Sequence, residues 1–140
     1  MPEAERILQV VQEWVAKAEN DLKNATHTLT MGTECPTDTV CFHAQQYIEK
    51  SIKAYLTSRS IDFPKTHDLG LLISLMPKHV RPTLTVPEQR KLTAYATTVR
   101  YPGDSEPISL TEARRAVALA RRVRKEIGKH LPKERKQRGK

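Results

Sequence analysis

The sequence predicts an all-α fold, an antiparallel up-and-down bundle of four long helices plus one short helix. Apolar residues recur at three- and four-residue spacing through several long segments, as the buried stripe of a helix requires. Aromatic residues make up only 5% of the 140 residues, whereas Ala, Leu, Lys, Glu and Arg are abundant, which favours helices over sheets. The chain contains no internal repeat, no strand-like alternation and no glycine-rich phosphate loop. It is long enough for one domain with a substantial core.

The first helix is predicted from about Glu3 to about Leu29, a span of roughly 40 Å at 1.5 Å per residue. We expect Trp14 in the core because it lies on the apolar stripe. That stripe consists of Ile7, Val10, Val11, Trp14, Ala18, Leu22, Ala25 and Leu29.

A loop with Gly32 and Pro36 separates the first helix from the second, which we predict to end near Ser58. Residues 37–39 are expected to cap its start. Its core-facing stripe consists of Cys41, Ala44, Ile48, Ile52, Tyr55 and Leu56.

The third helix is short and follows a connector that contains Pro64. Asp68 is placed to cap it. Its buried side is expected to consist of Leu69, Leu71, Leu72 and Leu75.

Two capping-box patterns predict where the last two helices begin. The first pattern runs from Thr85 to Glu88 with a proline inside the first turn, and its helix is expected to stop before Pro102. The second runs from Ser109 to Glu112 and opens a helix that continues to about Leu131.

The second helix also carries a polar face, on which His43, Gln46, Lys50 and Lys53 stack on successive turns. Gln45 and Glu49 lie alongside. Lys and Glu would suffice for a solvated face, whereas a His with paired glutamines supplies several hydrogen-bonding groups at fixed spacing. A solvated face with an incidental His is the alternative.

The net charge of +8 is concentrated at one end of the chain. The last 20 residues hold ten Lys and Arg against two Glu, so the first 120 balance at zero. We therefore predict a helical bundle over residues 1–131 and a basic disordered tail over residues 132–140. Such a tail attracts phosphate polyanions, although a solubilising role fits its composition equally well.

Other function classes are disfavoured. No apolar run is long enough to span a bilayer and no signal-peptide pattern opens the chain, so we expect a cytoplasmic protein. The two cysteines are expected to be reduced thiols. No Cys or His pair has metal-ligand spacing, and the carboxylates Asp21, Glu49, Asp68 and Asp104 lie in separate segments, so neither a metal nor a cofactor is expected.

Four segments, taken together, resemble the HEPN domain family. The string CFHAQQYIEKSIKAYL from Cys41 to Leu56 is similar to the family's second-helix signature. It is preceded by Trp14 with Asp21, and followed by a KTHDL segment over residues 65–69 and by Arg100-Tyr101-Pro102 at the end of the fourth helix. The resemblance covers nearly the whole chain, from about residue 6 to about residue 131.

Ribonucleases of this family carry an Arg separated by four to six residues from a His, and the two groups cleave RNA without a metal. The matching arginine here is Arg100, but residues 105–107 are Ser, Glu and Pro, so the histidine is absent. The resemblance therefore points to binding rather than cleavage. The predicted ligand-binding residues are Arg100, His43, Lys50, Lys53, Gln46 and Tyr101.

Two residues, Arg100 and His67, also have structural alternatives. Arg100 can fork onto a phosphate or onto a carboxylate of its own fold such as Asp21. His67 precedes a helix cap, and we expect it to hydrogen-bond a neighbouring loop.

The resemblance implies a nucleotide- or nucleic-acid-binding helical module that acts with a separate minimal nucleotidyltransferase and pairs as a homodimer. Two alternatives remain at this point. One is a non-catalytic dimeric scaffold, and the other is a HEPN ribonuclease toxin with a rearranged site.

Overall fold

Five α-helices account for most of the residues that a computed structural model of the protein describes, namely 2–98, 101–103 and 106–132. They are α1 (Glu3–Leu29), α2 (Thr37–Ser58), α3 (Leu69–Ser74), α4 (Val86–Thr97) and α5 (Leu110–Gly128), with single 3₁₀ turns at Gly32–Glu34 and Lys78–Val80. This part of the chain contains no strand. The predicted all-α class is confirmed.

Side-chain caps begin three of the helices. The Thr85 hydroxyl accepts from the Glu88 backbone N–H while the Glu88 carboxylate accepts from the Thr85 N–H, which completes the predicted capping box of α4. Asp68 caps α3 through the backbone N–H of Leu71, as expected. At α5, Ser109 accepts from the N–H of Glu112.

The cap expected from residues 37–39 is wrong. The helix α2 begins at Thr37 after Pro36, with no side-chain cap. The Thr37 hydroxyl instead donates to the carbonyl oxygen of Ile108 at 2.7 Å, which ties the start of α2 to the segment before α5.

The ends of the last two helices come earlier than predicted. The helix α4 ends at Thr97, and Val99 and Arg100 lie outside the described residues. The helix α5 ends at Gly128 rather than near Leu131. Residues 133–140 of the predicted tail also lie outside the described part, so its disorder stays a prediction.

The helix α2 lies at the centre of the bundle and contacts each of the other four helices. It runs antiparallel to α1, because Asp21 meets His43 near their connection while Trp14 meets Lys53 further along. Polar groups of α2 that would point to solvent in a peripheral helix are therefore covered by neighbours.

The helices α4 and α5 also run antiparallel. Tyr95 contacts Glu112 near their connection, and Glu88, closer to the start of α4, pairs with Arg115. On its other side α5 lies against α1, where Arg124 binds Glu19.

The core forms between α2 and its neighbours, and four expected core residues lie outside it. Val10 is 43% exposed and Leu71 is also exposed, while Ile7 and Trp14 are only half-buried. In α3 the buried positions after Leu69 follow its three- and four-residue spacing, which places Leu71 on the opposite side. The apolar residues of the described ranges with no exposed surface are Ala25, Val40, Cys41, Ala44, Ile48, Ile52, Ala54, Leu56, Leu69, Leu72, Ala113, Ala120 and Val123.

Both cysteines are buried, and neither forms a disulfide. Within the described ranges, none of the helices combines the length and the apolar character needed to cross a membrane.

Candidate functional site

The polar residues of α2 form two hydrogen-bonded groups, one toward α1 and the other toward the segment before α3. The first group, the Asp21 cluster, consists of Asp21, His43 and Lys50. Asp21 Oδ1 lies 2.7 Å from His43 Nδ1, and Asp21 Oδ2 lies 2.6 Å from Lys50 Nζ. One carboxylate of α1 thus serves two residues that stand two turns apart on α2.

The second group, the Glu49 cluster, consists of Glu49, Gln45, Gln46, Lys53 and His67. Glu49 Oε1 accepts from Gln45 Nε2 at 2.8 Å and lies 2.7 Å from His67 Nδ1, while Glu49 Oε2 accepts from Lys53 Nζ at 3.0 Å. Gln46 Nε2 donates to Gln45 Oε1 at 2.7 Å. The side chains of Glu49 and Lys53 are only 4% and 9% exposed. These buried polar side chains therefore find their partners inside the fold.

The carboxyl of Glu49 is held in its charged form by these partners. Burial alone would raise its pKa, but the hydrogen bonds from Gln45, His67 and Lys53 outweigh burial and keep the pKa below the ordinary value. Because an ionised carboxylate only accepts, the proton in the His67 contact belongs on Nδ1.

Two aromatic rings complete the surroundings of Lys53. Its Nζ lies 5.7 Å from the ring centroid of Trp14 and 5.9 Å from that of Phe63. Such a position favours an ammonium through the negative face of each ring. The half-buried Trp14 therefore covers a buried ion pair.

The predicted ligand-binding residues therefore do not form one continuous face in the structure. Gln46 and Lys53 are buried in the Glu49 cluster, and Lys50 is paired with Asp21. His67 binds Glu49 of α2 rather than a neighbouring loop, so that expectation is wrong. Tyr101 is 64% exposed, and Arg100 lies outside the described residues. A ligand role for any of these residues stays a prediction.

His43 differs from the other described members of the predicted set because it lines a cleft. Its side chain is 28% exposed and lines a cleft of about 420 Å³ between the start of α2 and the end of α4. The lining residues are Asp38, Thr39, Phe42, His43, Tyr95, Thr98 and Ile108.

The contact with Asp21 determines which ring nitrogen of His43 can bind a ligand in this cleft. Asp21 engages Nδ1, which orients the ring and leaves Nε2 for another partner. A protonated imidazole donates from Nε2 to an anion, and a neutral one accepts a proton there. The edge of Phe42 packs against the ring, with centroids 5.6 Å apart. His43 is therefore oriented by Asp21, and its Nε2 has no hydrogen-bond partner among the described residues.

The other polar groups of the cleft differ in what they can offer. Burial and the hydrogen bond to the Glu112 carboxylate raise the pKa of Tyr95, so its hydroxyl stays a donor committed to Glu112. Asp38 brings a carboxylate, which repels an anion. Thr98 lies two positions before Arg100 in the chain.

Within the described part of the chain, no group of three His, Cys, Asp or Glu side chains is arranged to hold a metal ion. The polar contacts of the two clusters are hydrogen bonds and ion pairs.

The roles of Asp21 and Glu49 left few signs in the sequence. Asp21 lies 22 positions from His43 and 29 from Lys50 in the sequence. Periodicity within a single helix gives no information about partners at such separations. One signal was present: Asp21 adjoins Leu22 at the edge of the apolar stripe of α1, and a carboxylate beside a buried stripe needs a cationic partner.

Comparisons with known proteins agree with this architecture. Among solved structures, TT1696 from Thermus thermophilus is similar at 24% identity with a TM-score of 0.70, covering 86% of this chain and 98% of that one. ST0689, an archaeal HEPN homologue, is similar at 22% identity with a TM-score of 0.65, covering 87% and 98%. Likeness at these identities shows the fold. No curated protein matches the sequence.

The family model of the HEPN domain matches residues 11–131, which include both clusters and all five helices in part or in whole. With its helical bundle and this match over most of its length, the chain belongs to the HEPN domain family.

Proposed function

We propose that this chain is a helical binding module for a small phosphate-bearing ligand, a nucleotide, and that the ligand occupies the cleft lined by His43. The observation that carries the proposal is the Asp21–His43 contact of 2.7 Å, which occupies Nδ1 of an imidazole that lines the cleft and leaves Nε2 as the ring nitrogen for a ligand. An oriented donor at the rim of a concave site is the usual form of a polar anchor.

Two features support a phosphate rather than an uncharged ligand. The neighbouring Lys50, although paired with Asp21, keeps the Asp21 cluster cationic whenever His43 is protonated. Arg100 follows the cleft residue Thr98 by two positions, and a guanidinium forks two phosphate oxygens. In this proposal His43 donates one hydrogen bond and Arg100 two, whereas Lys53 and Gln46 stabilise α2.

Ligand binding is tested by thermal shift with a panel of nucleoside mono-, di- and triphosphates. A ligand that binds only the native state raises the melting temperature. His43→Ala and Arg100→Ala should each lower the affinity for whichever nucleotide raises the melting temperature, by about ten- to a hundredfold. This is the effect expected for the loss of a charge-assisted hydrogen bond.

Two further variants make the test specific. Asp38→Asn removes the carboxylate from the cleft, so it should tighten nucleotide binding. Lys78→Ala changes an exposed cation outside the cleft and should leave affinity unchanged. If no nucleotide raises the melting temperature, the non-catalytic scaffold becomes the better interpretation.

We also propose a separate minimal nucleotidyltransferase as the partner and a homodimer as the assembled form. The family membership supports the first. Exposed apolar side chains on α1, with Leu8 44% and Val10 43% exposed, support the second, because an interface would cover them. Co-purification with a tagged nucleotidyltransferase of the same organism tests the partner. If the tagged nucleotidyltransferase is recovered without this chain, the proposed partnership is contradicted.

A further inference from the structure

The helix α5 carries more cations than any other helix, and the structure divides them into two sets. Three arginines are tied to the fold: Arg115 binds Glu88 at 2.8 Å, Arg124 binds Glu19 at 2.8 Å, and Arg122 donates to the carbonyl oxygen of Thr83 at 3.1 Å. The remaining cations, with the lysine that follows the helix, form what we call the α5 row. It consists of Arg114, Arg121, Lys125 and Lys129.

The α5 row lies along one side of the helix. Its members follow Arg114 by seven, eleven and fifteen positions, which returns each of them to within about one-sixth of a turn of the first. The row spans roughly 22 Å at 1.5 Å per residue. All four residues are exposed, and the neutral side chain between Arg114 and Arg121 on this side is Ala118.

No carboxylate of the described residues neutralises the α5 row. Arg121 makes one long contact, 3.4 Å to the hydroxyl of Thr26, and the row forms no ion pair within the described ranges. The two acids of α5 are turned elsewhere, since Glu112 binds Tyr95 and Glu126 binds Thr83. The row is therefore a strip of uncompensated positive charge.

Helix stabilisation does not account for the whole strip. Lys125 and Lys129 lie at the carboxyl end of α5, where cations favour the helix dipole. Arg114 lies far from the carboxyl end, so the helix dipole does not account for a cation at this position.

The chemistry of the strip identifies that partner. A membrane-binding basic helix inserts an apolar face, but the apolar face of α5 is buried in the bundle, with Val117 and Val123 nearly inaccessible. A protein interface needs an apolar centre with a polar rim, which a row of four long cations and one alanine does not provide. A nucleic-acid backbone needs only a line of cations along its phosphates.

We infer that the α5 row is a docking surface for the phosphate backbone of a nucleic acid, separate from the cleft at His43 and independent of the nucleotide proposal. The contact involves no base edges, so it binds single strands of different sequence about equally. Arg121 and Lys125, adjacent at the centre of the row, make the main contacts.

The test compares two double variants of the full chain. Arg121→Gln/Lys125→Gln removes two cations from the row, and Lys78→Gln/Arg90→Gln removes two exposed cations elsewhere, so both variants carry the same net charge and the same tail. Binding of a fluorescein-labelled oligouridylate is measured by anisotropy as a function of salt. Unchanged circular dichroism confirms that both variants are folded.

Each phosphate contact to a single strand contributes about 0.7 to the slope of log affinity against log salt. Loss of two contacts should lower the slope by about 1.4 and the affinity at about 0.1 M salt roughly 25-fold. The control should follow the wild type in both slope and affinity.

Three results overturn the inference. The first is an unchanged slope in the row variant. The second is an equal loss in both variants, which would make the effect one of net charge alone. The third is binding of the wild type to phosphatidylserine vesicles but not to the oligonucleotide, which would assign the surface to a membrane.

Discussion

The buried ion pair between Glu49 and Lys53 allows a stringent test of how α2 is held. In Glu49→Met the Lys53 ammonium keeps its position between Trp14 and Phe63 but loses its carboxylate. Removing one partner of a buried pair typically costs about 3–5 kcal/mol. The contacts of Lys53 with the two rings are present in both wild type and variant, so they cancel in the comparison. We therefore expect Glu49→Met to lower the free energy of unfolding by about 3–5 kcal/mol.

A urea titration followed by circular dichroism measures this change, which should lower the midpoint without altering the slope. The matched variant is Glu49→Met/Lys53→Met, which removes both charges. Apolar replacement of a whole buried pair is often close to neutral, so the double variant should recover more than half of the loss. A residual deficit of about 1 kcal/mol is expected, because the buried amide of Gln45 loses its acceptor.

The pH dependence supplies an independent check on the same pair. The pKa of Glu49 is lower in the folded state than in the unfolded chain, so its carboxylate stabilises the fold fully above the unfolded value of about 4.3. That contribution is lost as the pH falls through the folded-state pKa. The stability difference between wild type and Glu49→Met should therefore narrow in acid. A double variant no more stable than Glu49→Met, or a difference that widens in acid, would refute the reasoning.

Three further predictions follow from other parts of the fold. Asp21→Asn should lower the free energy of unfolding by about 2 kcal/mol in urea, because two donors on α2 lose a carboxylate; an unchanged midpoint would count against a structural role. Light scattering at micromolar concentration should give twice the monomer mass for the wild type and the monomer mass for Leu8→Asp/Val10→Asp, whereas a wild-type monomer would exclude the dimer. Thr85→Ala should lower the free energy of unfolding by about 1 kcal/mol through loss of the capping box. In thermal unfolding it should lower the melting temperature less than Asp21→Asn does, and a larger decrease would contradict this prediction.

The helices were predictable because their signals are local. The apolar stripe of α1, the capping box at Thr85 and the cap at Asp68 each depend on residues within one or two turns. The bounds of α1 are the predicted ones, and α2 ends at Ser58 as expected. Where local chemistry competes with a distant partner the prediction failed, as at Thr37, whose hydroxyl is used by Ile108 instead of by its own helix.

The site was less predictable because α2 is a central helix. Its polar face has the spacing of a solvated surface, yet 14 of its 22 residues are buried, among them Gln46 and Lys53. Periodicity reveals where the apolar residues lie but not how many neighbours surround the helix. The sequence did contain one indication, the four-residue spacing of Gln45, Glu49 and Lys53. At this spacing Gln45 and Lys53 can both donate hydrogen bonds to the Glu49 carboxylate, as they do in the structure.

The two proposed phosphate sites differ in how the charges of their side chains are compensated. On α2 the cations Lys50 and Lys53 are already matched by carboxylates, so the His43 cleft can add only a few directed hydrogen bonds and should discriminate between ligands by geometry. On α5 the row remains uncompensated, so it should bind polyanions by counterion release without discrimination. The two modes differ in their response to salt, since partly buried charges are screened much less than exposed ones. Raising the salt concentration should therefore abolish binding at α5 while nucleotide binding at the cleft persists, and a common loss of both would place the ligands on one surface.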